Sequence, residues 1–462
     1  MPMYQINFQE PIHVHFIGIG GISMSGLAEI LLKEGFTISG SDLRESELTR
    51  HLTALGANVF YGQKAENIRP GIQAVVFTAA VHPDNPEYIA AQNVGIPMLS
   101  RAELLGQIMR NYQTAIAVSG THGKTTVTSM LSSILLEAKQ DPTISVGGIL
   151  PEIGGNIRVG HSDTFLTEAC EYTNSFLSFF PTVELILNIE EDHMDFFKDL
   201  ADIRNSFHRF TKLLPSEGLL VINDEILDPG KITADTKARV VNYGFSKDAD
   251  YRVAEPITYD DKGCASFGCL HKDQYLGNIT LHVPGRHNVS NALAALAASM
   301  ELGISFGDIA SGLSKFHGTD RRFQYKGEVN GITIIDDYAH HPTEIAATLS
   351  AASNYPHREL WCVFQPHTYT RTKAFLHQFA QALSMADHVI LADIYAAREV
   401  NTIGISSLDL KAELENIGKS AYYFPTFEEI EKFLLKNCMH GDLLITMGAG
   451  DVLKIGENLL SR

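Results

Sequence analysis

One short segment restricts the possible folds of this 462-residue chain more than any other. The apolar run 114–119 leads directly into Gly-Thr-His-Gly-Lys-Thr-Thr at positions 120–126, and a sequence with one apolar helical face follows. Glycines allow backbone N–H groups to turn toward phosphate oxygens, and the positive end of the next helix faces the same anion. This succession of strand, loop and helix predicts a nucleoside-triphosphate site in an α/β domain.

The residues of this phosphate loop have separate expected roles. Lys124 would reach the outer phosphates, and the hydroxyl of Thr125 would ligate Mg²⁺. Val118 stands where the common form of the loop has its first glycine, so this loop is a compact variant. The residues expected to surround the phosphates are Gly120, Thr121, His122, Gly123, Lys124, Thr125 and Thr126.

Composition and charge exclude several classes of protein. Hydrophobic residues make up 45% of the chain and charged residues 19%, which is typical of a globular protein. The formal charge of −18 argues against a nucleic acid or an anionic membrane surface as a partner. Five cysteines without a Cys-x-x-Cys pair, and the absence of an apolar stretch of ~20 residues, favour a cytoplasmic protein with reduced thiols.

The alternation of strand and helix patterns predicts an α/β protein of three consecutive domains, each with a mostly parallel sheet. We predict an N-terminal Rossmann-like domain over 1–110 and a central phosphate-loop ATPase domain over 111–317. The segment 250–281 is rich in β-formers and turns and predicts a meander attached to the central sheet. A second Rossmann-like domain is predicted over 318–462. We expect ligands to bind in the clefts between these domains.

A second glycine-rich loop follows the first predicted strand. Gly18 and Gly20 match the first two glycines of a dinucleotide fingerprint, but Ser23 occupies the third position. Asp42 lies where an acidic residue would bind a ribose. The loop predicts a diphosphate site without requiring nicotinamide, and a plain tight turn remains the alternative.

Acidic residues follow two apolar strands of the predicted central domain. Glu168 comes just after the strand at 164–166, and the segment 190–195 follows the strand at 185–189. Carboxyl ends of parallel strands meet at one edge of a sheet, and Mg²⁺ prefers oxygen ligands. Glu168 is therefore the stronger predicted metal ligand and His193 the weaker, with a solvated loop as the alternative for each.

Polar clusters also occur later in the chain. Residues 336–344 and 365–371 follow two strands of the predicted third domain, and Arg371 is a candidate clamp for a carboxylate or phosphate. The pair Arg321-Arg322 could meet an anion carried across the cleft, although surface ion pairs would account for these residues equally. Near the start of an Ala-rich helix, three residues could hydrogen-bond an adenine: His287, Asn288 and Asn291. The alternative is that Asn288 or Ser290 simply caps the helix.

Taken together, these motifs resemble those of the Mur ligases over nearly the whole chain. The stretches that carry the resemblance are 18–26, 39–42, 120–126, 167–171, 191–195, 285–288, 336–344 and 447–451. The resemblance implies an ATP-dependent ligase of peptidoglycan precursor synthesis, with ATP and Mg²⁺, in two ions, as cofactors. It further implies that the lactyl carboxylate of UDP-N-acetylmuramate becomes an acyl phosphate, which the amine of L-alanine then attacks.

The resemblance also implies roles for individual residues of this chain. The UDP-sugar would contact Gly18, Gly20, Gly21, Ser25, Gly26, Ser41, Asp42 and Arg101. Beyond the phosphate loop, ATP would contact His287, Asn291, Arg322 and Asp336, with Asp337 as an alternative to Asp336 at the ribose. Metal ligands would be Thr125, Glu168 and His193, and amino-acid contacts would be Arg371, His341 and Glu344. Catalytic roles would fall to Lys124, His193, Arg371 and His340.

Two positions depart from the family pattern. Sister ligases carry a carbamylated lysine where this chain has Phe207, so no carbamate is expected there. Thr368 stands where related alanine ligases usually have an arginine, which leaves Arg371 as the only arginine of that stretch.

Three alternative functions stay open. The first is a ligase that attaches a recycled tripeptide to the same sugar nucleotide. The others are an NAD-dependent oxidoreductase and a phosphate-loop switch protein without ligase chemistry.

Overall fold

The chain forms three successive α/β units, each built on its own sheet. The structure is a computed structural model and describes residues 4–78, 80–397 and 399–462. The three sheets have five, ten and six strands, and most neighbouring strands run parallel. The predicted α/β class, with three mostly parallel sheets in sequence, is confirmed.

The first unit has an all-parallel sheet with helices on its faces. Its strands are β1 (His13–Ile17), β2 (Thr37–Asp42), β3 (Asn58–Tyr61), β4 (Ala74–Phe77) and β5 (Met98–Ser100). Its helices are α1 (Ile22–Lys33), α2 (Glu47–Ala54), α3 (Pro86–Val94) and α4 (Arg101–Met109). The strand order is β3-β2-β1-β4-β5, so the order reverses beside β1. A crevice at the carboxyl end of β1 is where such sheets bind ligands.

The central unit carries the phosphate loop on a ten-stranded sheet. Its first strands are β6 (Thr114–Ser119), β7 (Thr143–Leu150), β8 (Gly155–Arg158), β9 (Thr164–Ala169) and β10 (Val183–Ile186). The others are β11 (Leu219–Asn223), β12 (Arg239–Gly244), β13 (Tyr251–Tyr259), β14 (Cys264–His271) and β15 (Gln274–Pro284). Its helices are α5 (Lys124–Glu137), α6 (Leu200–Thr211), α7 (Pro229–Thr233), α8 (Arg286–Glu301) and α9 (Phe306–Lys315). The predicted meander is confirmed, because β13, β14 and β15 pair antiparallel.

The third unit has a six-stranded sheet that is parallel except at one edge. Its strands are β16 (Gln324–Val329), β17 (Ile332–Asp337), β18 (Leu360–Phe364), β19 (His388–Leu391), β20 (Ala421–Tyr423) and β21 (Leu443–Met447). Its helices are α10 (Pro342–Ser353), α11 (Tyr369–Ala374), α12 (Leu376–Leu383), α13 (Ser407–Asn416), α14 (Phe427–Asn437) and α15 (Leu453–Leu460). The strand order is β16-β17-β21-β18-β19-β20, with β16 antiparallel to β17.

Hydrophobic packing joins the first and central units more closely than their separate sheets suggest. One continuous cluster of buried side chains includes Leu104 and Ile108 of α4 together with Phe165 and Phe176 of the central unit. Helix α4 lies so close to the central unit that a Cβ on Gly106 would overlap a backbone carbonyl there. The third unit has two clusters of its own, one on each side of its sheet. No helix in the described ranges has the length and apolar character needed to cross a membrane.

One ionisable side chain in the central core has no hydrogen-bond partner. Glu184 on β10 is fully buried, and both of its carboxyl oxygens are unpaired. It lies in register with Ala117 and Leu220, and both of these belong to the apolar cluster beneath α6. Burial raises the pKa of Glu184 well above its usual range, because the charged form loses its hydration.

We expect the substitution Glu184→Met to stabilise the protein, and more so at higher pH. A carboxyl whose pKa is raised by folding stabilises the native state below its unfolded pKa and loses that contribution as pH rises through its folded pKa. At pH 8 the unbranched apolar side chain should therefore add about 1–3 kcal/mol to the free energy of unfolding. Calorimetric unfolding at pH 5.5 and pH 8 would measure the difference, with Glu10→Met at an exposed position as the control. An equal gain at both pH values would contradict a buried titrating carboxyl.

Candidate active site

The phosphate loop takes the conformation that its glycines permit. Strand β6 ends at Ser119, Gly120 has a φ of 141°, and Gly123 has a φ of 84° at the start of α5. Both angles are strained for residues with a side chain. A Cβ on Gly123 would also lie 2.8 Å from the side-chain oxygen of Asn291. Glycine is therefore required at Gly123 for two reasons, backbone conformation and the approach of α8.

Asn188 holds the phosphate loop in place, a role that sequence reasoning missed. Its Oδ1 accepts the N–H of His122 at 2.7 Å, and its Nδ2 donates to the carbonyl of the same residue at 3.1 Å. Its own carbonyl accepts the N–H of Thr121 at 3.2 Å. The sequence predicts a strand that includes position 188, but β10 ends at Ile186. The sequence feature that could have indicated this role is an amide side chain near the carboxyl end of β10, the strand that pairs with β6.

Lys124 is tied to its surroundings by three contacts. Its Nζ donates to the carbonyls of Gly120 and Thr121 and pairs with a carboxylate oxygen of Glu171 at 3.1 Å. Burial alone would lower the pKa of Lys124, but the charge of Glu171 raises it, so the ammonium stays protonated. Glu171 is nearly fully buried and was not among the predicted site residues. A phosphate group entering the loop would compete with it for Lys124.

The predicted oxygen ligands of Mg²⁺, Thr125 and Glu168, lie against the same backbone segment. The carboxylate of Glu168 accepts the N–H of Gly147 at 2.5 Å. The neighbouring Gly148 is close to Thr125, since a Cβ there would lie 3.3 Å from the Thr125 methyl carbon. One prediction of local structure is wrong here, because β9 continues to Ala169 and Glu168 is a strand residue rather than a loop residue. The strand is longer because it pairs with β6 along its whole length.

His193 has an uncommon backbone conformation beside this region. Its φ is 54°, and its ring stacks on Tyr172 with 4.5 Å between the centroids. Its Nε2 lies 3.8 Å from Asp192. Burial lowers the pKa of His193, so the imidazole is neutral at pH 7 and has a lone pair available for a metal or a proton.

A cavity of about 400 Å³, here called the large cavity, opens between the central and third units. One end is formed by the phosphate loop at His122, Gly123 and Thr126. Aromatic side chains of Tyr243 and Phe245 also line it. The predicted nucleotide contacts that line it are His287, Asn291 and Arg322. The cavity thus combines the predicted phosphate loop with aromatic side chains, a lining that suits a nucleotide.

Asp336 does not reach the large cavity. It is fully buried, accepts from Nε of Arg321 at 2.9 Å and accepts from the Thr446 hydroxyl at 2.7 Å. Its carboxylate oxygens join Arg321 of the loop before β16 to Thr446 of β21, and its contact with the ribose stays a prediction. Asp337 points to the other face of the strand and does line the cavity. Burial raises the pKa of Asp337 to about 6.

His122 joins the phosphate loop to the third unit. Its Nε2 lies 3.5 Å from Glu190, and its Nδ1 lies 3.3 Å from Glu344 of α10. Burial alone would lower the pKa of His122, but pairing with these two carboxylates raises it to about 9. His122, Glu190 and His341 have ligand atoms within 4.8 Å of one another, a spacing that could hold a metal ion. Because His122 is protonated, however, it acts here as a cation that pairs with Glu190 in its own unit and with Glu344 in the third unit.

A second cavity of about 250 Å³, here called the small cavity, contains the predicted clamp Arg371. The guanidinium donates from Nε and NH2 to one oxygen of Asp192, at 3.1 and 2.9 Å, and from NH1 to His367 at 3.1 Å. The pair crosses from the third to the central unit and is largely buried. Burial alone would raise the pKa of Asp192, but the charge of Arg371 holds it below its usual range.

Of the three remaining predicted contacts, His340 and Glu344 line different cavities and His341 lines neither. His340 lines the small cavity, and burial lowers its pKa to about 3. Its Nδ1 donates to the Tyr338 carbonyl at 3.0 Å, which leaves Nε2 as an acceptor. His341 and Glu344 do not line the small cavity, and their contact with an amino acid stays a prediction. His341 caps α10 and bonds to the Glu191 carbonyl at 2.9 Å, while Glu344 lines the large cavity.

In the first unit, the glycine loop is held by the acidic residue predicted to bind a ribose. The N–H of Gly20 donates to Asp42 at 2.8 Å, and a Cβ on Gly20 would clash with that carboxylate at the same distance. Gly18 has a φ of 81°, and Gly21 forms the start of α1. Arg101 at the start of α4 donates to Ser23 of the loop at 3.2 Å.

Three other predicted sugar contacts serve the fold of the first unit. Ser41 is fully buried and donates to Glu87 at 2.5 Å. Ser25 is buried and donates to a carbonyl of its own helix. A Cβ on Gly26 would overlap Ile157 of β8, so this glycine allows α1 to pack on the central unit. Ser41 and Gly26 each face protein atoms, and their contact with the sugar nucleotide stays a prediction.

Comparisons with known proteins agree with this architecture. The Mur ligase family models match in three consecutive parts: the catalytic domain at 13–113, the middle domain at 118–299 and the glutamate ligase domain at 321–450. A UDP-N-acetylmuramate–L-alanine ligase of Agathobacter rectalis is 62% identical over 460 residues, with all of both chains covered. The corresponding protein of Caldanaerobacter subterraneus is 47% identical over 456 residues, with 99% of both chains covered.

Two solved structures are similar to the whole chain. A UDP-N-acetylmuramate–alanine ligase from Thermotoga maritima has a TM-score of 0.79 and 29% identity, covering 98% of this chain and 99% of that one. A murein peptide ligase from Psychrobacter arcticus has a TM-score of 0.69 and 26% identity, covering 97% of this chain and 98% of that one. Both similarities extend over all three units.

Proposed function

The chain belongs to the Mur ligase family, and we propose that it is an ATP-dependent ligase that joins L-alanine to the lactyl carboxylate of UDP-N-acetylmuramate in peptidoglycan precursor synthesis. The observation that carries this proposal is the arrangement of the two cavities. The large cavity begins at the phosphate loop, and the small cavity contains Arg371. Segments 190–195 and 338–344 contribute to the walls of both. A phosphorylated intermediate and an amino acid can therefore meet across a short distance.

The reaction explains why a nucleotide site and an amino-acid site adjoin. A carboxylate is a poor electrophile, so an oxygen of the lactyl carboxylate first attacks the γ-phosphorus of ATP and ADP leaves. The amine of L-alanine then attacks the acyl-phosphate carbonyl, phosphate leaves, and the ammonium proton is released. Both steps bring anions together, and Lys124 with the loop N–H groups would neutralise that charge. The positive end of α5 acts in the same direction.

The residues around Glu168 fit a magnesium site. Thr125 and Glu168 supply oxygen ligands and lie against the same segment, Gly147-Gly148, while the neutral His193 offers a nitrogen. Mg²⁺ held there would neutralise charge on the outer phosphates of ATP. We infer that the pairing of Lys124 with Glu171 gives way to phosphate when ATP binds.

The small cavity suits a small amino acid. Arg371 would bind the α-carboxylate of L-alanine, because its planar guanidinium matches a carboxylate. His340 is neutral, and its Nε2 can accept a hydrogen bond from the ammonium group without repelling it. Its low pKa makes it a positioning group for the amine rather than a strong base. Thr368 and Thr370 complete the polar part of the wall.

The sugar nucleotide would bind at the first unit. The glycine loop between β1 and α1 presents N–H groups at a helix N-terminus, which is a general binding geometry for a diphosphate. Arg101 is next to this loop and adds a positive charge. Packing between α1 and the hairpin of β7 and β8 holds the first unit against the central unit. The lactyl group of the bound sugar nucleotide would then face Glu168.

The alternatives account for fewer observations. An NAD-dependent oxidoreductase would leave the Lys124 loop and the large cavity without a role. A switch protein would need neither the small cavity nor Arg371. A tripeptide-attaching ligase would use the same phosphate chemistry, but the high identity to full-length alanine ligases favours L-alanine.

The proposed function is tested by phosphate release in the presence of ATP, Mg²⁺ and UDP-N-acetylmuramate. We expect release to require L-alanine and the product to be heavier by one alanyl residue. Glycine, L-serine and the recycled tripeptide are the comparison substrates. Release that depends on the tripeptide alone, or no release with any amine, would contradict the proposal.

A further inference from the structure

The backbone at Gly147 meets the predicted metal ligand Glu168 at very short range. The N–H of Gly147 donates to Oε1 of Glu168 at 2.5 Å. A Cβ on Gly147 would lie 2.9 Å from both carboxylate oxygens. The φ of Gly147 is not in the positive range, so its backbone conformation does not by itself require glycine. The three atoms nearest to an added Cβ would all belong to the carboxylate of Glu168.

The next residues of β7 contact the other parts of the site. A Cβ on Gly148 would lie 3.3 Å from the methyl carbon of Thr125 and 3.1 Å from that of Thr319. The carbonyl of Ile149 accepts the N–H of Asp320 at 3.3 Å, at the start of the third unit. The segment 147–149 therefore lies between the two predicted oxygen ligands of the metal and the connection to the third unit.

We propose that Gly147 is a positioning residue for the metal centre of the ligase. Its N–H orients the carboxylate of Glu168, and its missing side chain leaves the space that the carboxylate occupies. Groups that hydrogen-bond to a metal ligand set its orientation, and their loss typically weakens metal binding. The inference rests on the proposed function, since it assumes that Glu168 holds the Mg²⁺ used with ATP.

The test is Mn²⁺ binding to the full-length protein, measured by electron paramagnetic resonance with the non-hydrolysable analogue β,γ-imido-ATP present. We expect Gly147→Ala to weaken Mn²⁺ binding by about 10–100-fold. Glu168→Gln should weaken it at least as much, because it removes the ligand itself. The matched control is Gly155→Ala on the neighbouring strand β8, where an added Cβ meets no atom within 4 Å. The control should bind Mn²⁺ like the unsubstituted protein.

A compensating substitution separates misplacement of the carboxylate from general damage. Glu168→Asp shortens the side chain and withdraws it from the space that a Cβ at position 147 would take. We therefore expect Gly147→Ala and Glu168→Asp together to weaken Mn²⁺ binding less than the product of the two single effects. If Gly147→Ala alone fails to fold, the double variant should still show a cooperative unfolding transition. Unchanged Mn²⁺ affinity in Gly147→Ala, or independent effects in the double variant, would overturn the proposal.

The two proposals can fail separately. If the unsubstituted protein releases phosphate only with L-alanine but Gly147→Ala binds Mn²⁺ normally, the ligase function stands and the positioning role does not. If Gly147→Ala weakens Mn²⁺ binding but no amine supports phosphate release, the positioning role stands and the proposed reaction does not.

Discussion

Replacing Lys124 with methionine should lower the rate of L-alanine-dependent phosphate release by about 10³-fold or more. The substitution keeps the length of the side chain but removes the charge that would stabilise the outer phosphates during transfer. Binding of UDP-N-acetylmuramate should change little, because the glycine loop of the first unit lies on a different sheet. Steady-state kinetics and calorimetric binding of the sugar nucleotide would measure both quantities.

A matched control distinguishes loss of catalysis from loss of structure. Lys315→Met also removes a lysine that pairs with a carboxylate, that of Glu137, but at the surface of the same unit. It should leave the rate unchanged. Lys124→Met also leaves Glu171 without its partner, so thermal unfolding of the Lys124→Met/Glu171→Gln pair should be recorded as well. A folded Lys124→Met protein with a rate near that of the unsubstituted chain would contradict the phosphate role.

Replacing Arg371 with lysine should raise the KM for L-alanine by about 10–100-fold, an effect equivalent to about 1.5–3 kcal/mol for a lost charge-assisted hydrogen bond. Lysine keeps the positive charge but cannot match a planar carboxylate with two parallel N–H groups. We choose lysine because alanine at this position would leave the buried Asp192 unpaired, at a cost of about 3–5 kcal/mol. Initial rates at varied L-alanine, with ATP and sugar nucleotide saturating, would measure the change.

The control for this prediction is Arg358→Lys in the same unit. Arg358 pairs with Asp442, with Nε 2.8 Å from a carboxylate oxygen, and lines neither cavity. Its replacement should leave the KM for L-alanine unchanged. If Arg371→Lys raised the KM for UDP-N-acetylmuramate and not that for L-alanine, Arg371 would belong to the intermediate rather than to the amino-acid site.

Much of the fold could be predicted because its signals are local. Strands β18 and β21 are continuous apolar runs, as expected for parallel strands buried on both faces. The phosphate loop was recognisable because only glycine suits the positive φ angles at Gly120 and Gly123. The strand before Glu168 was predicted too short, because its last residues are held by pairing with β6, which is distant in the sequence.

Sequence reasoning could not place residues whose type fits two roles. Ser41 and Gly26 both belong to stretches that predict ligand contacts. In the structure Ser41 donates to the buried carboxylate of Glu87, and Gly26 allows close packing on Ile157. Asp336 and Asp337 are adjacent and chemically identical, and strand alternation sends only Asp337 toward the cavity. Phe207, which the family resemblance places where sister ligases have a lysine, is fully buried and packs on Phe176.

The sequence alone determined the family, the order of the three α/β units and the phosphate loop, because these depend on local glycine requirements and on runs of apolar residues. The tertiary structure alone decided which polar groups face a ligand. It paired Arg371 with Asp192 and His122 with Glu344 across units, and it brought Gly147 against Glu168. Such contacts join residues that are distant in the chain, and the spacing of a single sequence holds no record of them.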